Sequence, residues 1–355
     1  MIDFDLTLFE PDAAKIKGAA VMEVKEASTL NSIEKANTDE KDEYLIDLSE
    51  ADSELEYTLE INGKNTFPKG DIQMIKGKAK QGKTNTLLCI MTALLSGEFL
   101  VIKSKVKDCK LCYFATEEHR RSVKRIAKKV HRLCQWNPNI NNDRYKVYSI
   151  RKKNSKERVK YIEQKVREEK PDVVFIDGVR DLLNDFNNIS ESNEIVSLLL
   201  CLSEECNCSI VSVLHTNKSN FDSSPRGHLG TEMQNKCSDV LEVSKDKNVF
   251  CVEETESRNI EVGKFAFTLN ENGLPEYADV SVVEKTNERI ETMRSRFSEV
   301  LQNGKVLSHT ELRKEYRELS GYKEVTGNKH IDEALSIGII EKDESGKYKL
   351  CEVTI

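Results

Sequence analysis

The chain has 355 residues, with 54 Lys and Arg against 61 Asp and Glu, a formal charge of −7. That length predicts two or three domains with room for one sizeable core. No apolar run approaches the roughly 18 residues of a membrane helix, and the acidic start Met1-Ile2-Asp3-Phe4-Asp5 lacks the basic stretch of a secretory signal. The ten cysteines are irregularly spread, which fits reduced thiols in a cytoplasmic protein.

Residues 1–60 hold 17 Asp and Glu against 5 Lys, a net of −12, which leaves +5 for the remainder. This first segment reads as an acidic arm, either largely disordered or packed on a neighbouring subunit. The mildly basic body permits a nucleic-acid partner. Phe67-Pro68-Lys69-Gly70-Asp71 is a turn signal, and Asp71 to Ile75 reads as the first core strand. Directly after it stands Gly77-Lys78-Ala79-Lys80-Gln81-Gly82-Lys83-Thr84, a full GxxxxGK[ST] phosphate-binding loop. From Asn85 to Ser96, Leu87, Leu88, Ile90, Met91, Leu94 and Leu95 recur at helical spacing. Strand, loop and helix in that order are the context in which the loop's amides can wrap a β-phosphate. Lys83 would neutralise the β- and γ-phosphates and Thr84 would hold Mg²⁺, so the loop predicts binding of ATP or a related nucleoside triphosphate.

Four further apolar strands alternate with helices: Leu111 to Ala115, Arg144 to Ile150, Asp172 to Asp177 and Ser209 to Leu214. Continuous apolar strands between helices predict an α/β fold with a mainly parallel sheet covered on both faces. Cys109-Lys110-Leu111-Cys112 is a CxxC, but no second pair stands at zinc spacing, and both cysteines read as strand residues entering a core. The helix from Arg120 to Leu133 carries Arg121, Lys124, Arg125, Lys128 and Lys129, a solvated face or a binding face. Period-2 segments from Val249 to Leu269 predict antiparallel strands at the sheet edge.

The chain changes character near its end, which gives expected domains at 1–60, 61–280 and 281–355. A helix from Glu288 to Gln302, a capping box at Ser308-His309-Thr310-Glu311 opening a second helix, a third near Thr326 to Ile337 and a hairpin through Ser345-Gly346 follow in turn. That order outlines a small winged-helix-like domain. Such modules hold DNA or protein partners. Arg313, Lys314, Arg317 and Lys329 favour DNA, and the acidic residues between them do not.

Hydrolysis needs a carboxylate on the Mg²⁺ side, a group that positions water and a charge stabiliser. Asp177, ending an apolar strand, is the first, with Thr84 as its partner at the metal. Glu117 in Tyr113-Phe114-Ala115-Thr116-Glu117-Glu118 is the second, with Glu118 as the alternative. A carboxylate after the strand next to the loop, instead of beside Asp177, resembles the RecA-like ATPases. Over roughly residues 61–280 the chain is similar to the RepA- and DnaB-type hexameric replicative helicases, including relatives on plasmids and mobile elements. The resemblance implies further roles. Phe114-Ala115-Thr116-Glu117 matches the strand that ends in the catalytic glutamate. Leu214-His215-Thr216-Asn217-Lys218 looks like the strand end that senses the γ-phosphate, so His215 takes that part. Glu256-Ser257-Arg258-Asn259 is similar to the family's Lys-x-Arg-Asn segment, which makes Arg258 a finger reaching the neighbouring subunit's phosphates; Glu256 departs from the pattern. A finger in trans implies a homo-oligomeric ring, a hexamer in that family.

Two loops, Val179 to Ser192 and Lys218 to Gln234, would face a central channel, with Lys218, Arg226 and His228 on the backbone of single-stranded DNA. The resulting expectation is a ring-forming, ATP-dependent DNA helicase or translocase in replication or mobilisation of a plasmid or mobile element, working with replication or mobilisation proteins. The alternative is a nucleotide-gated DNA-binding or regulatory ATPase that assembles without unwinding.

Overall fold

The computed structural model describes residues 45–46, 48–49, 54–217 and 224–351. Most of the expected acidic arm, and Lys218 with residues 219–223, lie outside them. The chain divides into two units, Met1–Glu54 and Leu55–Ile355. Of the first, Leu45, Ile46 and Leu48 are exposed.

The second unit opens on strands β1 (Tyr57–Ile61) and β2 (Lys64–Pro68), paired antiparallel across an Asn62–Gly63 turn. The expected boundary at residue 60 therefore falls inside β1, because Leu59 and Ile61 bury in the core and pull the end of the acidic segment into a sheet. Next come β3 (Ile72–Gly77), helix α1 (Lys83–Ser96), and the short strands β4 (Glu98–Phe99) and β5 (Ile102–Ser104). Strands β1, β2, β4 and β5 form a separate four-stranded antiparallel sheet that the sequence pattern does not announce, since two of its strands have only two and three residues.

The chain continues through β6 (Leu111–Ala115), α2 (Arg120–Leu133), β7 (Tyr145–Ser149), α3 (Ser155–Glu169), β8 (Val173–Asp177), α4 (Ile189–Glu205), β9 (Ser209–His215) and α5 (Gly227–Lys236). Then follow β10 (Asp239–Asp246), β11 (Val249–Ser257), β12 (Lys264–Leu269) and β13 (Pro275–Ala278). The main sheet has nine strands in the order β13-β12-β11-β10-β3-β9-β8-β6-β7. From β10 to β7 every neighbouring pair is parallel, and β11 to β13 add antiparallel strands at one edge.

Alternation explains both the strands and the layers, because successive side chains leave a strand on opposite faces. Leu111, Tyr113 and Ala115 of β6 join Val173 and Phe175 of β8 on one face, under α1 (Leu87, Leu88) and α2 (Val123, Val130). Cys112 and Phe114 join Val174 and Ile176 on the other, under α3 (Ile162, Val166), α4 (Val196, Leu199) and α5 (Leu229, Met233). Cys109 and Cys112 are both buried.

The two loops expected at a channel are shorter than their composition suggests. Helix α4 starts at Ile189, where the Asn188 side chain accepts from the Glu191 amide. The stretch from Lys218 to Gln234 is half helix: α5 begins at Gly227, and Thr216 and Pro225 bridge antiparallel before it. Gly, Ser, Pro and Asp in this stretch read as loop, yet Leu229 and Met233 bury completely and fix a helix.

After β13, α6 (Val280–Val300), α7 (His309–Ser320), α8 (Glu324–Ser336), β14 (Ile340–Lys342) and β15 (Tyr348–Leu350) build a small module. Its own apolar cluster joins Met293, Phe297, Leu312, Tyr316, Ile331, Ile340 and Tyr348. Phe297 and Tyr316 stack with ring centroids 4.3 Å apart. The Ser308–Glu311 capping box opens α7, as its spacing predicts.

Candidate functional site

Parallel register brings four strand ends to one edge of the main sheet. Gly77 of β3 pairs with His215 of β9, Val213 of β9 with Asp177 of β8, and Asp177 with Ala115 of β6. The loop Gly77–Thr84, Glu117, Asp177 and His215 are therefore neighbours, although they span about 140 positions of sequence. This is the edge where ligands sit in open α/β sheets.

Helix α1 starts at Lys83 with Gly82 before it, and no side chain caps this end. The first-turn amides of Lys83, Thr84 and Asn85 thus lack intrahelical acceptors, and the helix dipole adds partial positive charge. Gly82 is at φ +99°, and a Cβ there would lie 2.2 Å from the Phe250 ring, so only glycine fits. Lys78, Ala79, Lys80 and Gln81 form the loop's crest, with Ala79 and Lys80 exposed. Lys83 is buried, and its Nζ donates to the carbonyls of Gly77 (2.7 Å) and Lys78 (2.8 Å). Burial drops the Lys83 ammonium to about 8, with the charges of Asp177 and Glu117 pulling the other way.

Lys83 Nζ also lies 3.0 Å from His215 Nδ1. An ammonium has no lone pair, so Nδ1 accepts and the ring proton sits on Nε2. Nε2 faces Glu117, 3.7 Å from Oε2. His215, then Lys83 and Arg180, hold the Glu117 carboxyl below its ordinary range. Glu117 remains half-exposed at 46 %, open to solvent on one side. Its other oxygen is pressed against the next strand: a Cβ on Gly178 would fall 2.7 Å from Glu117 Oε1. Glu118 is exposed beside it.

Thr84 Oγ1 donates to Asp177 Oδ2 at 3.4 Å, and the Tyr113 hydroxyl donates to the same oxygen at 2.9 Å. Burial pushes Asp177 up to about 6; the Tyr113 bond opposes it, Glu117's charge adds to it and the Thr84 bond opposes it. Thr116, also buried, donates to the Gly178 carbonyl (2.9 Å) and accepts from the Gly178 amide (2.9 Å), tying β6 to β8 at this edge. Tyr113 and Thr116 escape sequence reasoning. A tyrosine inside a buried strand signals that its hydroxyl needs a partner, but the partner lies 64 positions away.

The uncapped helix start and its ammonium fit a nucleotide's phosphates, and the Thr84 hydroxyl with the Asp177 carboxylate supplies the hard oxygen donors that Mg²⁺ takes.

The remaining candidates are dispersed. Arg258 is exposed, donates to the Lys236 carbonyl at 2.9 Å and lies 3.7 Å from Asp71 Oδ2. Asp71 precedes β3, so Arg258 sits at the other end of the parallel strands, roughly 20 Å from its own phosphate loop. Arg226 precedes α5; its guanidinium and that of Arg180 lie 5.1 and 4.9 Å from the Phe186 ring. The Arg226 amide donates to the His215 carbonyl at 3.0 Å, which ties this segment to the end of β9. His228 is half-buried in the first turn of α5. In the C-terminal module Arg313, Lys314 and Arg317 line one open depression of ≈ 550 Å³, with Arg313 ion-paired to Glu324. Lys329 is exposed on α8, outside the residues lining it.

Between the loop strand β3 and the Asp177 strand β8 lies one further strand, β9, and Glu117 follows the strand beyond, β6. That order, with the GxxxxGK[ST] loop, is the arrangement of a P-loop nucleotide-binding fold on a mainly parallel sheet. Residues 45–220 match the family model described as an AAA domain. No curated protein matches the chain. Among solved structures it is similar to the RadB recombinase, at 19 % identity and a TM-score of 0.46 over 61 % of this chain and 94 % of that one. It is also similar to a second solved structure, described as an ATPase domain, at 14 % identity and a TM-score of 0.44 over 59 % and 86 %. Among the described residues no helix is long and apolar enough to cross a membrane.

Proposed function

We propose that this chain is an ATP-driven, ring-forming DNA helicase or translocase of the RepA/DnaB type, serving replication or mobilisation of a plasmid or mobile element. The observation that carries the reading is the chain of contacts from Lys83 through His215 to Glu117. It links the residue at the phosphates to the carboxylate that would hold the attacking water, by way of a strand whose continuation leads to Arg226.

In this mechanism the loop amides and Lys83 bind the phosphates of ATP. Thr84 and Asp177 would hold Mg²⁺, which when bound neutralises charge across the β- and γ-phosphate oxygens. Glu117, kept ionised by His215, orients water for in-line attack and accepts its proton. His215 reports the state of the phosphates along β9. The segment from Lys218 through Arg226 and His228 grips the backbone of single-stranded DNA without reading sequence. Arg258 cannot reach its own loop across the sheet, which favours action in trans on a neighbouring copy and hence a ring, a hexamer by the family resemblance. The C-terminal module is assigned as winged-helix-like, with Arg313, Lys314, Arg317 and Lys329 toward DNA.

The test is ATP hydrolysis with and without single-stranded DNA, in wild type and Glu117→Ala. DNA should raise turnover several-fold, and Glu117→Ala should remove turnover while ATP still binds. Hydrolysis indifferent to DNA sinks the motor and leaves a nucleotide-gated scaffold.

A further inference from the structure

Helix α2 carries seven cations in 14 residues, Arg120, Arg121, Lys124, Arg125, Lys128, Lys129 and Arg132, and no Asp or Glu. Among the described residues none of the seven takes part in an ion pair. The neighbouring α3 shows the ordinary arrangement, with Lys165 on Glu168 and Arg167 on Glu163. At roughly 100° per residue the seven fall within about half of the helix circumference. The opposite half is spent on the core through Val123 and Val130. Lys128 and Lys129 donate to Asn139 Oδ1 and the Gly273 carbonyl. Arg120, Arg121, Lys124, Arg125 and Arg132 stand exposed. Lys129 is shifted down by burial and by the charges of Arg125 and Arg132, a sign of like charges crowded without compensation.

We propose that the exposed face of α2 is a second nucleic-acid surface, binding the phosphate backbone independently of sequence and of ATP. The five exposed charges over about 21 Å of helix are one per roughly 4 Å, close to the ~3.4 Å axial spacing of phosphates along one DNA strand. A lipid surface fits poorly, because the helix has no apolar side left to insert. The face is distinct from the Arg226 and His228 segment. Helix α2 covers one face of the main sheet and α5 the other. The proposal goes beyond the motor reading and does not require hydrolysis.

The experiment uses the full chain without nucleotide and follows fluorescence anisotropy of a labelled 20-nucleotide single strand and a 20-base-pair duplex from 50 to 300 mM KCl. It compares wild type, Arg121→Gln/Arg125→Gln/Arg132→Gln, and Arg226→Gln/His228→Gln. The triple variant should lose about tenfold or more in affinity at 100 mM salt and about 2–3 units of the log–log salt slope. Its melting temperature and basal ATPase rate should stay at wild-type values. Whichever probe shows that loss identifies the strand form. Unchanged affinity and slope in the triple variant, or no binding by wild type to either probe, overturns the proposal. Displacement by polyglutamate as effective as by DNA at equal charge also overturns it, in favour of an acidic protein partner. Loss confined to the Arg226/His228 variant overturns this surface and leaves the motor reading standing; the converse supports this surface alone.

Discussion

Tyr113 donates its hydroxyl to Asp177 Oδ2 at 2.9 Å from a ring with no solvent exposure, and so fixes the carboxylate that Thr84 also contacts. The bond favours the ionised form of Asp177, which burial pushes up to about 6. Tyr113→Phe removes it and should raise the Asp177 value further. The acid limb of the ATPase pH profile then moves to higher pH, with turnover about tenfold lower near pH 6.5 and closer to wild type at pH 8.5. The Mg²⁺ concentration for half-maximal rate rises in parallel. Superimposable pH profiles would show that Tyr113 only fills space.

Gly178 leaves the room that Glu117 occupies. Its backbone, at φ −120° and ψ 133°, is open to alanine, so Gly178→Ala puts a methyl against Glu117 Oε1 without backbone strain at φ. Turnover should fall at least tenfold, toward the 10²–10⁴ expected for loss of a general base. A fluorescent ATP analogue should bind as before, with melting within a few degrees of wild type. Intact turnover would mean that the carboxylate works from another position.

The phosphate loop depends on Gly82 twice, through φ +99° and through the Phe250 ring beside it. Gly82→Ala should weaken nucleotide binding by tenfold or more, read by titration with the same analogue. Adding Phe250→Ala relieves the contact but not the left-handed backbone, which costs roughly 1–2 kcal/mol. The double variant should therefore regain only part of the affinity. Full recovery would locate the whole requirement in the ring.

A buried carboxyl pair lies away from the loop. Asp239 Oδ2 accepts from the Phe67 amide at 2.9 Å, and Glu254 Oε2 accepts from the Val262 amide at 2.6 Å. Burial pushes Glu254 up to about 7, the Val262 bond opposes this, and Asp239 adds to it. The folded state thus holds this proton more tightly than the unfolded chain. Its contribution is fully favourable below about pH 4.5 and is lost as pH rises through about 7. Glu254→Gln should be more stable than wild type at pH 8 by roughly 1–3 kcal/mol, with the gain vanishing near pH 5. Denaturant unfolding of both proteins at the two pH values decides it.

The sequence by itself determined what is local. Eight contiguous residues from Gly77 to Thr84, set between a strand and a helix, hold their chemistry in the backbone they share. Continuous apolar runs in Leu111 to Ala115 and Val173 to Ile176 dictated strands buried on both faces, because side chains leave a strand on alternate sides and both sides are apolar. The capping box at Ser308 and Glu311 marked a helix start for the same local reason. Tertiary structure decided everything that depends on which strand lies beside which. Placing β9 between β3 and β8 brings His215 to Lys83 across 132 positions, and pairing β6 with β8 brings Tyr113 to Asp177 across 64. It also turned the Gly-, Ser- and Pro-rich stretch after His215 partly into α5, since burying Leu229 and Met233 outweighs weak local helix preference. Strand order and long-range burial are sums over distant residues, and no window of sequence contains them.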